Sequence, residues 1–211
     1  MVSFIKKDLL IIKANLKTFL AIFVIYLIMG IFMEDGFDIS FLLPFLSVML
    51  FISTFSYDEF NNWHAYAVTL PNGRKNVVKG KYVASFLLVI ITSIVAIIST
   101  IGISFYKDTL VLEEMLATLC VTLTAIIFLL SIMFPIIFKF GVEKGRFAVM
   151  VIVFGVVFLI SMFGQLISSD TLTELFSLIE NWYYFVFPIF IVVSIGISYL
   201  ISLKIYLKKE F

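Results

Sequence analysis

The sequence predicts an all-α polytopic membrane protein with six transmembrane helices. Of its 211 residues 63% are hydrophobic and 14% are charged, which is too apolar for a surface that must face water. The charged residues are clustered, and the segments between the clusters run for about 16 to 25 residues, enough for a helix to cross roughly 30 Å of hydrocarbon. These segments do not alternate apolar and polar residues as barrel strands do, so helices are expected.

The predicted spans are apolar runs separated by clusters of charge. They lie at 17–33, 39–56, 82–106, 115–138, 147–167 and 183–203. With both termini in the cytoplasm, every Lys and Arg except Lys107 falls on the cytoplasmic side, as the positive-inside rule requires. Pro44, Pro135 and Pro188 fall inside spans, where they act as hinges of a conformational cycle or as static bends.

The segment 1–16 before the first span is predicted to be an interfacial helix. Its apolar residues recur at helical spacing, and its lysines lie largely elsewhere on the helical wheel. The apolar residues are Phe4, Ile5, Leu9, Ile12 and Leu16, and the lysines are Lys6, Lys7, Lys13 and Lys17. This pattern is typical of a helix lying in the membrane interface, and the alternative is a basic leader that only sets topology.

A short external helix is predicted between the fifth and sixth spans, within 168–182. Thr171 to Glu174 fits a capping box, and an apolar stripe that includes Leu175 and Ile179 follows it. The alternative is an ordinary polar loop.

The cytoplasmic segment 57–81 between the second and third spans is predicted to contain an amphipathic helix. Apolar residues recur at Phe60, Trp63, Ala67 and Leu70, with spacings of 3, 4 and 3, before a break at 71–73. Arg74, Lys75, Lys79 and Lys81 then form a basic run, which we expect to pair with lipid phosphates. A helix held parallel to the membrane here can pass motion from a cytoplasmic partner to the spans. The alternative is a surface helix that packs only on its own bundle, and periodicity alone does not separate the two.

The same segment resembles the loop of bacterial ABC transporter permeases of the type-two exporter family. In that loop an acidic pair and Asn-Asn-Trp lead through Leu-Pro to a basic residue and then to Lys-Tyr at the next span. The matching residues here are Asp58, Glu59, Asn61, Asn62, Trp63, Leu70, Pro71, Arg74, Lys81 and Tyr82. His64 stands where Asp is expected, and Asn72-Gly73 precedes Arg74 where a small hydrophobic residue and Ser are commoner.

The resemblance implies a transmembrane permease subunit of an ATP-driven exporter in the bacterial cell membrane. A second permease copy, forming a homodimer or pseudo-dimer, and separate ABC ATPase subunits are the implied partners. ATP and Mg would bind in the ATPase, with no cofactor in this chain. The segment that contacts the ATPase is then a coupling helix, with Phe60, Trp63 and Tyr66 as anchors. The implied interface residues are Asp58, Glu59, Phe60, Asn62, Trp63, His64, Tyr66, Leu70 and Arg74. The likeness is greatest to exporters of amphipathic antimicrobial or cytolytic peptides such as the phenol-soluble modulins, so the implied cargo is an amphipathic peptide or a lipid-like molecule.

Several chemistries find no support in the sequence. There is no Gly-x-x-x-x-Gly-Lys-Ser/Thr motif, so no ATPase activity is expected in this chain. His64 is the single histidine and Cys120 the single cysteine, so neither a catalytic triad nor a metal site is expected. The predicted spans hold no Asp, Glu or His, which argues against proton antiport. No nucleic acid is expected as a partner.

Two other functions remain open from the sequence. One is a nucleotide-independent channel or facilitator, and the other is a non-transporting immunity or scaffold protein of the membrane. A neighbouring gene for an ABC ATPase would favour the exporter.

Overall fold

The computed structural model describes residues 2–32, 39–107, 112–166 and 183–209, and these residues form helices without a strand. The helices are α1 (Val2–Ala14), α2 (Leu16–Phe32), α3 (Ile39–Phe60), α4 (Trp63–Thr69), α5 (Gly73–Lys107), α6 (Leu112–Phe140), α7 (Val142–Leu166) and α8 (Tyr183–Lys208). The predicted all-α class is therefore confirmed for the described part of the chain. The predicted external helix within 168–182 lies outside it.

Several helices are long and apolar enough to cross a bilayer. Within the described ranges, three segments meet that condition, namely Gly73–Lys107, Leu116–Phe140 and Pro188–Lys208. A fourth span is formed if Val2–Ala14 and Leu16–Phe32, which meet at a bend of 57°, are counted together. The protein is thus a multi-pass membrane protein, and the number six stays a prediction.

Helix α5 begins well before the predicted third span. Its first residue is Gly73, whereas the span was predicted from 82. At the other side, α3 continues to Phe60, beyond the predicted end at 56. The segment 57–81 is therefore mostly helical, because lysines lower hydropathy without breaking a helix. Hydropathy locates the hydrocarbon boundary rather than the end of the helix.

Helix α1 packs on other helices of the chain. It lies against α5 and α3, and Ile12 is buried. At Gly80 of α5 a Cβ atom would lie 3.2 Å from the Cβ of Phe4, so the absence of a side chain permits this close approach. Leu9 and Leu16, which were predicted on the same apolar face, remain 37% and 43% exposed. A helix at the start of the chain is therefore confirmed, and its place in the membrane interface stays a prediction.

An aromatic cluster joins α3, α6 and α8. Phe51 and Phe55 lie on α3, Phe134 and Phe138 on α6, and Tyr206 on α8, and each is at most 3% exposed. Neighbouring ring centroids are 5.3 to 5.6 Å apart in tilted or edge-to-face pairs, the geometry that aromatic quadrupoles favour. This cluster forms the floor on which α4 and its flanking residues are placed.

Hydroxyl groups connect α5, α6 and α8 farther into the bundle. The Tyr82 hydroxyl lies 2.6 Å from Ser198 Oγ and 2.9 Å from Ser202 Oγ. Ser198 Oγ in turn donates to the carbonyl of Ser131 at 2.5 Å. Such bonds hold membrane helices together where the hydrophobic effect supplies little attraction. Pro44, Pro135 and Pro188 lie inside α3, α6 and α8, as predicted.

Candidate coupling site

Helix α4 is a short helix bounded by two asparagines with left-handed backbone. Asn62, just before α4, has φ 50°, and Asn72, just after it, has φ 55°. Asparagine tolerates this conformation better than most residues because its short polar side chain can bond locally. The chain therefore turns sharply at both ends of Trp63–Thr69, which separates α4 from the long helices α3 and α5.

The turn from α4 to α5 requires glycine at position 73. The Gly73 N–H donates to the carbonyl of Leu70 at 2.9 Å. A Cβ atom at Gly73 would lie 1.7 Å from the backbone oxygen of Ala67, closer than any contact between real atoms allows. Because the obstructing atom is backbone, no side-chain rotation can relieve the overlap, and the turn is fixed relative to α5.

Seven of the nine predicted interface residues divide into an outward group and an inward group, and the other two are half-buried. The outward group comprises Phe60, which is 86% exposed, Tyr66, which is 57% exposed, and the exposed Asn62. Trp63 and Leu70 are half-buried, and the Trp63 ring packs on Tyr66 at 5.3 Å and on Phe4 of α1 at 6.0 Å.

The inward group bonds to other helices of the same chain. Asp58 is 2% exposed, although it was predicted to contact a partner. Glu59 accepts a hydrogen bond from the Val142 N–H at the start of α7, at 2.9 Å. His64 Nδ1 lies 2.9 Å from the Tyr206 hydroxyl, and Arg74 donates to the carbonyl of Leu207. These four residues bind the segment 57–81, which we call the coupling segment, to the helices of its own chain.

Asp58 belongs to a buried ion cluster that joins α1, α3 and α5. Lys81 of α5 is 1% exposed, and its Nζ lies 3.0 Å from Asp8 Oδ1 and 2.8 Å from Asp58 Oδ2. It also donates to Thr54 Oγ1 at 3.0 Å. Lys7 pairs with Asp58 and lies 3.1 Å from Asp8. The Asp58 Oδ2 contact is ionic and lacks hydrogen-bond alignment, so this oxygen depends on the nearby charge alone.

Aromatic rings extend the ion cluster towards α4. The Lys81 ammonium lies 4.5 Å from the centre of the Phe55 ring, and the Lys7 ammonium lies 4.6 Å from the centre of the Trp63 ring. Both distances suit cation–π attraction. Two lysines and two aspartates make the cluster neutral, which is the condition under which buried charges are tolerated. A displacement of Trp63 would therefore move Lys7. Because Lys7 belongs to the ion cluster, the displacement would also act on α1, α3 and α5.

The sequence analysis was wrong about Lys81 and did not identify Asp8. Lys81 was expected to pair with lipid phosphate, but it is buried and its partners are carboxylates. A signal for Asp8 does exist, because Phe4, Asp8 and Ile12 are spaced four residues apart and so share one helix face. A carboxylate on the apolar face of a helix requires a cationic partner. The sequence does not say which lysine fills that role.

The connection from α6 to α7 is held by the end of α3. Gly141 has φ 84°, a conformation that favours glycine, and a Cβ there would lie 2.9 Å from Glu59 Oε1. The Glu59 carboxylate caps the first turn of α7, where the backbone N–H groups attract negative charge. Arg146 of α7 donates to Ser56 Oγ of α3 at 2.6 Å. The end of α3 thus contacts α7 directly, beside α4.

The pKa of His64 is lowered from 6.5 to about 4, chiefly because burial penalises the charged imidazolium. Asp58 raises this pKa, whereas Lys81, Lys209 and Lys7 lower it further. At neutral pH the ring is uncharged, and its contact with Tyr206 is that of a neutral imidazole.

An acid-dependent loss of stability is expected from this shift. Between about pH 6.5 and pH 4 the unfolded chain binds a proton at His64 that the folded chain does not, so the free energy of unfolding falls as pH falls through that window. Above about pH 6.5, protonation of His64 does not change the free energy of unfolding. Thermal unfolding in detergent, measured from pH 7.5 to 4.5, should show a shallower decline for His64→Gln than for the wild type. Parallel declines would contradict the assignment, since His64 is the only histidine.

The chain is similar to a known protein family over almost its whole length. Residues 3–207 match the model of the family described as ABC-2 family transporter protein. Neither the curated proteins nor the solved structures compared with the chain contain a match. The family match extends over nearly the whole chain, from α1 through α8. The protein, a multi-pass bundle with a short helix set between two long ones, therefore belongs to the ABC-2 family of transporter proteins.

Proposed function

We propose that the chain is the permease subunit of an ATP-driven exporter and that a separate ABC ATPase docks on the exposed aromatic face of the coupling segment. This docking face consists of Phe60, Asn62, Trp63, Tyr66 and Leu70. The observation that carries the proposal is the division of the segment: Phe60 and Tyr66 are exposed. Asp58, Glu59, His64 and Arg74 instead bond to other helices of the same chain. Membership of the ABC-2 family supports an ATPase partner in general.

The exposure of the docking face supports a protein partner. Phe60 is 86% exposed and Tyr66 57% exposed; Phe60 follows Asp58 and Glu59 at the end of α3, and Tyr66 lies on the short helix α4 rather than in the apolar middle of a span. Large aromatic side chains that fill pockets on a partner carry much of the binding energy of protein interfaces. Asp58 is left out of the docking face, because its carboxylate is occupied by Lys7 and Lys81.

The contacts behind the docking face supply a route for motion. Trp63 touches Phe4 of α1, and His64 touches Tyr206 of α8. Glu59 holds the start of α7, and the turn at Gly73 fixes α4 to α5. When ATP closes the ATPase subunits, a pull on the docking face would act on these helices together. The transport cycle is then a population shift between inward-facing and occluded or outward-facing states.

The remaining parts of the proposal rest on the resemblance of the coupling segment to exporter permeases. They are a second permease copy and an amphipathic peptide or lipid-like cargo. The cytoplasmic location of both termini rests instead on the distribution of Lys and Arg. A channel that works without nucleotide and a non-transporting immunity protein are the competing functions, and both predict that the docking face has no role.

Removing the two exposed aromatics should uncouple the permease from its ATPase. We expect Phe60→Ala with Tyr66→Ala to weaken ATPase affinity by at least about 30-fold, because even a single interface hot spot is worth ~2 kcal/mol or more. Co-purification with a co-expressed ABC ATPase from the same genome and export of an amphipathic peptide from cells would measure the effect.

A matched control lies at the far end of α5. Phe105 and Tyr106 are 68% and 76% exposed, so Phe105→Ala with Tyr106→Ala removes a similar pair away from the docking face. This control should keep assembly and export, and both double variants should unfold at the wild-type temperature. If the Phe60 and Tyr66 double variant assembles and exports normally, the proposed docking face is wrong.

A further inference from the structure

We propose that an anionic phospholipid binds in a groove between α3, α6 and α7, with its phosphate at Arg146 and one acyl chain along the groove. The groove has a volume of about 480 Å³. Its lining comprises Phe45, Val48, Met49, Ile52, Leu129, Met133, Arg146, Val149, Met150 and Phe154. All of these side chains except Arg146 are apolar.

The groove exists because α3 and α7 each pack along α6 and make few contacts with each other. Val48 of α3 and Met133 of α6 form its floor, at 3% and 1% exposure. Met49 of α3 and Met150 of α7 form its two rims, at 62% and 59% exposure. The groove is therefore open on the side that faces lipid, and its flexible methionine rims can adapt to a chain of variable shape.

The length of the groove suits one leaflet of the bilayer. Arg146 and Phe154 lie about 12 Å apart along α7, at a rise of about 1.5 Å per residue. One leaflet contributes about 15 Å of hydrocarbon, half of the bilayer core. An acyl chain that begins at the level of Arg146 would therefore follow the groove over most of its leaflet.

The charge at one end of the groove selects the headgroup. Arg146 is exposed, donates to Ser56 Oγ at 2.6 Å, and forms no ion pair with any residue in the described part of the chain. A guanidinium has five N–H donors, so one bond to Ser56 leaves donors for a phosphate. A single cation at the mouth of an apolar groove matches the polarity of an anionic lipid.

A second permease copy fits the groove less well. It would cover the apolar lining but would have to supply an anion for Arg146. Near this end, Asp8 and Asp58 are held in the ion cluster and Glu59 caps α7, which leaves the exposed Glu143 of α7 as the described carboxylate that a second copy could offer. A phosphate supplies both the charge and the attached chain.

The test is lipid retention by the full-length chain, purified in detergent and incubated with equal amounts of phosphatidylglycerol and phosphatidylcholine that carry identical acyl chains. Native mass spectrometry should show a preference of about fivefold for phosphatidylglycerol, the effect expected of one cation facing an anionic lipid. Arg146→Gln should abolish the preference. Val149→Trp, which fills the groove without changing charge, should lower retention of both lipids.

The matched control is Lys144→Gln, which removes an exposed cation close in sequence that does not line the groove. It should keep the wild-type preference, and all three variants should unfold at the wild-type temperature. An unchanged preference in Arg146→Gln would overturn the proposal. Displacement of the lipid by an equal concentration of glycerophosphate would also overturn it, because the groove would then add nothing to binding. So would efficient cross-linking of Met150→Cys between two copies in a Cys120→Ala background, since a second copy would then fill the groove.

Discussion

Replacement of Lys81 by Met is expected to lower the free energy of unfolding by about 3 to 5 kcal/mol, the range found when one partner of a buried ion pair is removed. Asp8 and Asp58 are each 2% exposed and would keep only the Lys7 cation between them. Methionine preserves most of the volume of lysine, so the loss reports the missing charge rather than a cavity. Chemical or thermal unfolding of the purified chain in detergent measures it.

Two further variants isolate the charge. Lys79→Met changes an exposed lysine of the same helix, and it should leave the free energy of unfolding within about 0.5 kcal/mol of the wild type. Adding Asp8→Asn to Lys81→Met makes the remaining cluster of Lys7 and Asp58 neutral again, and it should recover part of the stability. If the double variant is less stable than Lys81→Met alone, the charge balance is not what stabilises the cluster.

Replacement of Gly73 by Ala is expected to abolish export while the transmembrane bundle stays folded. The new Cβ would lie 1.7 Å from the Ala67 carbonyl oxygen, so the turn between α4 and α5 must open. Opening the turn moves α4 and with it Trp63, Tyr66 and Leu70 of the docking face, but leaves the ion cluster and the aromatic cluster in place. Export and ATPase co-purification, measured beside the unfolding temperature, separate the two effects.

Gly102 offers the matched control on the same helix. Within the described part of the chain, nothing beyond the local helix backbone lies within 4 Å of a Cβ built at this position. Ala is also favoured over Gly in helices by about 1 kcal/mol. Gly102→Ala should therefore export normally and be equally or slightly more stable. Normal export by Gly73→Ala would show that the geometry of this turn is not needed for coupling.

Most of the fold can be predicted from the sequence because lipid imposes simple rules. An apolar run of about 20 residues must form a helix, since every backbone polar group needs a partner inside the hydrocarbon. The class, the leading helix and the end of α4 follow from such runs and from the break at Pro71 to Gly73. The turn at Asn62 that separates α4 from Phe60 of α3 was not predicted. The start of α5 was missed because hydropathy reports charge and not helix continuity.

The candidate site could be predicted only in part. The spacing of Phe60, Trp63 and Leu70 indicates an amphipathic segment, and the exposure of Phe60 agrees with an outward aromatic face. The same spacing contains no information about Asp58 and Glu59, which are adjacent in sequence. Asp58 lies in the ion cluster, whereas Glu59 bonds to the start of α7. Their partners come from α1, α5 and α7, and contacts between distant segments leave no local pattern.

The sequence by itself determined the solvent of this protein, its helical class, and the place where a charged, amphipathic segment interrupts the apolar runs. These properties depend on composition and on spacing within one segment. The tertiary structure alone decided that Lys7, Asp8, Asp58 and Lys81 meet in one buried cluster and that α3 and α7 leave a groove with Arg146 at its mouth. Burying a charge carries a large desolvation penalty unless an opposite charge arrives from elsewhere in the chain, and only the packing of the helices brings those charges together.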